Sequence, residues 1–269
     1  MQIGLYGLGK MGANMARRLA RGGVKPALLN RTYQVSAELA GETGGLACQD
    51  EQAWLNSLDS PRIAWLMLPA GAATEAAIQT LLPMLKPGDI LVNGANAYYQ
   101  DAQRHALLLA ERGVLFADAG VSGGIWGLEN GYALMVGGEK QAISALEPFL
   151  KILAPTPDSG WLHCGPAGSG HFVKMIHNGI EYGMMQAFSE GFALMQGKTE
   201  FDLDLAAIAE MWRHGSVVRS WLLDLSAEFL AHDSTLADVS SIVADSGEGR
   251  WTVLESVQQG IPAPVMSLA

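Results

Sequence analysis

Cysteine is scarce in this sequence: Cys48 and Cys164 are the two in 269 residues. That is too few for a disulfide scaffold or a cysteine-based zinc site, and it suits a reducing compartment. Positive charge is also in short supply, with 17 Lys and Arg against 27 Asp and Glu and a net charge of -10. A nucleic-acid partner is therefore not expected, because phosphate backbones are held by surplus positive charge. An anionic small molecule would need a local nest of Lys, Arg and backbone N–H groups. No uninterrupted apolar run approaches the ~20 residues of a bilayer-spanning helix. No basic segment followed by an apolar core marks a signal peptide. Nothing in the spacing of His, Cys, Asp and Glu suggests a metal site. The expectation is a cytoplasmic protein with no membrane and no metal. Glycine, by contrast, is plentiful at 32 residues, and many of these lie in short motifs rather than repeats.

The first half alternates strand-like and helix-like segments. Strands are expected at 3–6, 27–29, 62–68, 89–92, 114–117 and 132–136. Helices are expected at 11–21, 74–85 and 140–152, the first with Met11, Met15 and Leu19 on one side. Such alternation implies a parallel sheet covered by helices on both faces. Pro155, Pro157, Gly160, Gly165, Pro166 and Gly168 then form a breaker-rich boundary. Beyond it the pattern is helical over 171–197, 203–213 and 217–231, with no strand of comparable strength. The fold class expected is an α/β Rossmann-type dinucleotide-binding domain over 1–165. An all-α domain over 166–269, opened by a long inter-domain helix, follows it.

Gly7-Leu8-Gly9-Lys10-Met11-Gly12 fits G-x-G-x-x-G and sits between a strand and a helix, the context that makes this pattern informative. The first glycine permits the tight turn, the second lets backbone approach a pyrophosphate, and the third lets helix and strand pack closely. The helix N-terminus attracts the phosphates. At the end of the second strand stands Asn30-Arg31-Thr32, where an NAD site usually has a carboxylate for the ribose 2′-hydroxyl. A carboxylate would repel a 2′-phosphate, whereas the planar fork of Arg31 pairs with one and Asn30 and Thr32 add short polar partners. NADP is thus expected ahead of NAD.

The most informative stretch runs from Gly168 to Gly183. It reads as the start of a long helix and places Lys174, His177, Asn178 and Glu181 at i, i+3, i+4 and i+7. At about 100° per residue these fall on one stripe. An amine, an imidazole, an amide and a carboxylate take the place of an ordinary apolar seam, and together they can abstract a proton, orient a substrate and return a proton. Three loops supply further candidates. Asp118-Ala119-Gly120-Val121-Ser122-Gly123-Gly124 ends in two glycines whose freed N–H groups suit an anion, beside the Ser122 hydroxyl. Asn93-Gly94-Ala95-Asn96-Ala97 follows a strand, where open α/β sheets present ligands. Asp245-Ser246-Gly247-Glu248-Gly249-Arg250-Trp251-Thr252 reads as a flexible, glycine-flanked turn holding a cation.

Taken together, these pieces resemble the decarboxylating 6-phosphogluconate dehydrogenases of the β-hydroxyacid dehydrogenase superfamily. The most specific parts are Val121-Ser122-Gly123-Gly124 with Trp126-Gly127-Leu128-Glu129-Asn130-Gly131-Tyr132, the run from His171 to Gly183, and Gly247-Glu248-Gly249-Arg250-Trp251-Thr252. The resemblance implies oxidation and decarboxylation of 6-phosphogluconate to ribulose 5-phosphate with reduction of NADP, in pentose phosphate metabolism or gluconate utilisation. By the same resemblance Lys174 is the base on the 3-hydroxyl and Glu181 the acid that protonates the enediol. Asn178 and His177 position hydroxyls, and Ser122, Gly123 and Gly124 meet the carboxylate region. Asn96 contacts substrate and cofactor, and Tyr182 and Arg250 approach the phosphate. Gly7, Gly9, Lys10, Met11, Gly12, Asn30, Arg31 and Thr32 hold the cofactor. A homodimer with intertwined helical domains is implied too, consistent with the many apolar residues Phe188, Phe192, Leu194, Met195, Trp212, Trp221, Leu222, Leu223 and Leu225.

Two departures stand beside the resemblance. The family pattern Asp-Gly-Gly-Asn-Ser is Asn93-Gly94-Ala95-Asn96-Ala97 here, which removes a hydroxyl. A phosphate-binding arginine and a tail reaching the partner subunit are expected past Pro262–Ala269 in longer relatives, and the sequence at hand stops at Ala269. A non-decarboxylating β-hydroxyacid dehydrogenase of the 3-hydroxyisobutyrate type is an alternative, using the lysine and asparagine without Glu181. A catalytically silent NADP-binding protein is another.

Overall fold

A computed structural model describes residues 2–233, 240, 242 and 245–269. The chain divides into two units, Met1–Lys174 and Met175–Ala269. The division falls within the helix Ser169–Gly197, beyond the breaker-rich segment, because the sheet of the first unit holds the opening turns of that helix.

In the first unit, β1 (Gly4–Tyr6), β2 (Ala27–Leu29), β3 (Leu46–Cys48), β4 (Ile63–Leu66), β5 (Ile90–Asn93), β6 (Leu115–Ser122), β7 (Ala133–Gly138) and β8 (Trp161–Gly165) form one sheet in the order β3-β2-β1-β4-β5-β6-β7-β8. Neighbours run parallel except β6 and β7, which are antiparallel. The sheet is thus parallel throughout but for one pair. Only the turn Gly124–Trp126 and the short helix Gly127–Asn130 separate the two strands, too little chain for the crossover of a dozen or more residues that a parallel pair needs. The strand β8 falls inside the segment read as a breaker-rich boundary. It lies at the sheet edge with Leu162 exposed, so it lacks the buried apolar run that marks the inner strands.

Alternate residues of the inner strands feed two cores. Ile63, Trp65, Ile90 and Val92 enter one, and Ala64, Leu66 and Leu91 enter the other, as the two-residue period of a strand requires. Met15 and Leu19 of helix Lys10–Arg21 and Leu146 and Leu150 of helix Lys140–Leu153 close the first core. Ile78 and Leu81 of helix Ala72–Leu81 and Ala102 and Leu109 of helix Tyr99–Ala110 close the second.

Helix Lys10–Arg21 also clasps the segment that joins β6 to β7. Arg18 donates to the carbonyls of Ile152 at 2.9 Å, Leu153 at 3.0 Å, Ala154 at 2.6 Å and Leu128 at 3.2 Å. One guanidinium thereby satisfies carbonyls that the end of helix Lys140–Leu153 leaves open. One turn to either side, Asn14 donates to the Ile125 carbonyl at 3.2 Å and Arg21 pairs with both carboxylate oxygens of Glu129 at 2.9 Å.

The second unit is helical. After the long helix come Leu205–Trp212, Trp221–His232, Glu248–Gln259 and Pro264–Leu268. Asp204 and Ser220 cap two of these by accepting from Ala207 N at 2.9 Å and Leu223 N at 3.1 Å. Phe192, Leu205, Ala209, Leu223, Ala227 and Leu230 form the core, with Phe188, Met195 and Trp212 packed against it. Several apolar residues expected to await a partner are therefore satisfied within the unit, while Leu194 and Trp221 stay exposed at 77% and 47%. Among the described residues no helix is long and apolar enough to cross a membrane.

Helix Ala72–Leu81 carries Glu75 in its first turn. Hydrogen bonds from Arg104, then from the buried His105, hold its carboxyl down from an ordinary 4.5 to about 2. A depressed folded value means that the stabilisation is present above about 4.5 and is lost as pH falls toward 2. With a third of the side chain open to solvent, screening limits the effect to on the order of 1 kcal/mol. Glu75→Gln is expected to melt below the wild type at pH 7, and the gap is expected to narrow as pH falls below about 4.5 and to close near pH 2. Melting curves across that range, with a gap that persists or widens in acid, would overturn the assignment.

Candidate active site

The dinucleotide fingerprint begins where β1 ends. Gly7 has φ +99°, and a Cβ there would lie 2.5 Å from the Met67 carbonyl oxygen. At Gly12 a Cβ would lie 2.0 Å from the Gly7 carbonyl oxygen, so helix and turn pack backbone to backbone. Gly9 differs: its Cβ direction meets nothing within 4 Å. Gly9 is also the N-cap of helix Lys10–Arg21, which has no side-chain cap and no acidic residue in its first turn. The first N–H groups of the helix, with its positive dipole end, therefore have no capping side chain, an arrangement that suits a pyrophosphate. Lys10 is exposed and Met11 half-buried beside this turn. Asn30 Oδ1 accepts from Leu8 N at 3.1 Å, so the side chain at the end of β2 shapes the turn itself. Arg31 and Thr32 follow it, both exposed.

At the end of β5, Asn93 Oδ1 accepts from Ala95 N at 3.0 Å, folding the segment into a turn. Asn96 is exposed on that turn and Ala97 is buried. A cavity of ≈ 240 Å³ lies beside it, lined among others by Thr74, Glu75, Asn93, Ala97, Arg104 and His105. The sequence reading did not find the Glu75, Arg104 and His105 cluster, since its members are far apart in the chain and belong to no motif.

The segment expected to be a loop from Asp118 is instead the second half of β6. Asp118 is fully buried, and its carboxylate accepts from Gly168 N at 2.6 Å and His171 N at 2.7 Å. The loop proper starts after Ser122, where Gly123 at φ +138° and Gly124 at φ +55° adopt backbone that side-chain-bearing residues avoid. Along the helix Ser169–Gly197, His171 Nε2 donates to the Asn93 carbonyl at 3.1 Å. Gly170 would carry a Cβ 2.5 Å from the Met135 carbonyl oxygen, and Gly120 one 2.3 Å from Lys174 Cβ. The helix thus rests on strand backbone, and Lys174 is left 8% exposed.

In the second unit the same helix presents His177, Asn178 and Glu181. His177 Nδ1 lies 3.1 Å from Asn178 Oδ1 and 3.7 Å from Glu181 Oε2. A Cβ on Gly179 would come 2.6 Å from Thr252 Cγ2, and Thr252 Oγ1 donates to the Met175 carbonyl at 3.0 Å. This seats helix Glu248–Gln259 directly on the long helix. Tyr182 OH is 3.4 Å from Ser246 Oγ, so the structure brings Tyr182 and the 245–250 segment together. Arg250 stands in the first turn of helix Glu248–Gln259, not in a flexible turn as expected. Gly247 at φ +91° serves as the N-cap, so the flanking glycine starts a helix. Arg250 is ion-paired with Asp245, whose carboxyl is held low by the Gly247 N–H and then by Arg250.

Comparison with known proteins matches residues 2–164 to the NAD binding domain of 6-phosphogluconate dehydrogenase and residues 170–269 to the 6-phosphogluconate dehydrogenase C-terminal domain. An NAD(+)-dependent decarboxylating 6-phosphogluconate dehydrogenase of Haloferax volcanii is 38% identical over 99% of this chain and 87% of its own length. An NADP(+)-dependent decarboxylating one of Bacillus subtilis is 35% identical over 99% of this chain and 59% of its own. Among solved structures, Plasmodium falciparum 6-phosphogluconate dehydrogenase superposes with a TM-score of 0.91 at 33% identity, over 100% of this chain and 60% of that one. The chain thus spans most of the first relative's length and about three-fifths of the other two.

Gly120→Ala places a methyl group 2.3 Å from Lys174 Cβ, too close for two carbons. Overpacking of this kind is expected to cost about 1–3 kcal/mol, read as a lower urea midpoint. An unchanged midpoint would mean that the helix is not seated on this glycine.

Proposed function

The chain belongs to the 6-phosphogluconate dehydrogenase family, and on that footing we propose that it converts 6-phosphogluconate to ribulose 5-phosphate and CO2 with NADP as oxidant. The cofactor, when bound, accepts the hydride from C3 of the substrate. This chain's residues manage protons and charge. Neutral Lys174 takes the 3-hydroxyl proton as the C3–H bond breaks, leaving a 3-keto acid. The bond to the carboxylate then breaks, CO2 departs, and negative charge gathers on the 3-oxygen, which the protonated Lys174 stabilises. Glu181 gives a proton to the carbon that becomes C1 of the product. The observation that carries this reading is Lys174: an amine only 8% exposed, in a helix that goes on to present His177, Asn178 and Glu181.

Substrate grip follows from the remaining groups. Asn178 and His177 orient hydroxyls, Ser122 and the N–H groups at Gly123 and Gly124 meet the carboxylate, and Asn96 touches both substrate and cofactor. Tyr182 and Arg250 take the phosphate, for which Arg250 would exchange part of its pairing with Asp245. Gly7, Gly9, Lys10, Met11 and Gly12 cradle the pyrophosphate, and Arg31 with Thr32 holds the 2′-phosphate. The exposed Leu194 and Trp221 suit a homodimer, and the two free thiols suit the cytoplasm.

Lys174→Met is expected to lower kcat by roughly 10²–10⁴-fold while the Kd for NADP stays within about twofold, followed by NADPH absorbance and CO2 release with 6-phosphogluconate. Near-normal turnover would sink the lysine assignment, and NADPH formed by the wild type without CO2 would point to a simple hydroxyacid dehydrogenase. Arg31→Ala is expected to raise KM for NADP by about ten- to a hundredfold, as loss of a charge-assisted fork implies, with KM for NAD little changed. Equal effects on both cofactors would remove the 2′-phosphate role.

A further inference from the structure

We infer that His171 and Asp118 are positioning residues that lock Lys174 and the turn bearing Asn96 into one register. The inference rests on the reading of Lys174 as the base. A helix usually satisfies its first N–H groups with a local capping side chain, which fixes the helix only relative to itself. Here the strand does the capping: the buried Asp118 carboxylate takes Gly168 N at 2.6 Å and His171 N at 2.7 Å. Two residues further along β6, and so on the same side of the strand, Gly120 receives Lys174 Cβ. Asp118 therefore sets where the helix begins relative to the spot on which Lys174 rests.

His171 adds the second link. It lies one helical turn before Lys174, is 1% exposed, and donates from Nε2 to the Asn93 carbonyl at 3.1 Å. A carbonyl can only accept, so the ring carries its proton on Nε2. Its Nδ1 has no hydrogen-bond partner among the described residues. Burial pushes the imidazole's proton affinity down, against the pull of Asp118, so the ring stays neutral and works as a strut and not as a proton carrier. Asn93 in turn holds Ala95 N through its side chain at 3.0 Å, which shapes the turn that displays Asn96. An apolar residue at 171 would fill the same space without this register, and an apolar residue at 118 would leave two buried N–H groups unsatisfied.

The test compares His171→Gln, whose amide can still donate to the Asn93 carbonyl, with His171→Asn, whose amide is one methylene shorter. Each is scored per NADP-binding site, so that unfolded protein does not count. His171→Asn is expected to lose about ten- to a hundredfold in kcat with 6-phosphogluconate, as a small misplacement of a base implies, with the Kd for NADP within about twofold. His171→Gln is expected to stay within about threefold of wild type, with the pH of half-maximal kcat unmoved. Combined with Lys174→Met, His171→Asn is expected to add no further loss, because it acts through the lysine. Asp118→Asn is expected to behave as His171→Asn does. Amide exchange at residues 94–97, expected to quicken at least about fivefold in His171→Asn and not in His171→Gln, reads the strut without any substrate. It therefore separates failure of this inference from failure of the base assignment. Equal kcat in the Asn and Gln variants, a lost limb in the pH profile of His171→Gln, or unchanged exchange in His171→Asn would overturn it.

Discussion

The first unit depends on how closely one helix can approach one sheet. Gly120 of β6, Gly137 of β7 and Gly170 of the helix meet where a Cβ on any of them would lie under 3 Å from neighbouring atoms. At that range only the Lys174 stem and the Asp118 carboxylate come between helix and strand backbone, and little is left to absorb error. The usual devices of packing, rotamer changes and small slides, have little room to act. Position is then set by hydrogen bonds with fixed length and direction, and the buried Asp118 carboxylate supplies two of them. The low exposure of Lys174 follows from the same approach, since its stem lies against strand where another residue would be held a side chain's width away.

A second tie runs through helix Lys10–Arg21. Its N-terminus has no side-chain cap, while Asn14, Arg18 and Arg21 hold the β6–β7 connection. One helix thus links the Gly7–Gly12 turn to the segment from Ile125 to Glu129. Arg18 is central to this arrangement because a planar guanidinium can serve several carbonyls at once, which a lysine ammonium of similar charge does with less fixed geometry.

Much of this was legible in the sequence for identifiable reasons. Inner strands such as β2 and β5 are buried on both faces and read as continuous apolar runs, and the fingerprint glycines sit at the junction their geometry demands. Edge strands were not legible: β3 is three residues long with Leu46 exposed, and β8 lies among glycines and prolines. The stripe from Lys174 to Glu181 could be placed on a helix by spacing alone. Asp118, His171 and Gly120 could not be assigned their work, because it lies in contacts across 50 or more residues. Arg250 was misplaced because glycine signals both a turn and the left-handed residue that can start a helix, and only the chain beyond it decides which.

The bond from Leu8 N to Asn30 Oδ1 has a bearing on how cofactor choice can change over evolutionary time. The Gly7–Gly12 turn uses the carbonyl oxygen of the Asn30 amide. A carboxylate in that place keeps an acceptor in the same position and exchanges the outer nitrogen for a charged oxygen. The geometry of the Gly7–Gly12 turn is therefore compatible with either an amide or a carboxylate at this position.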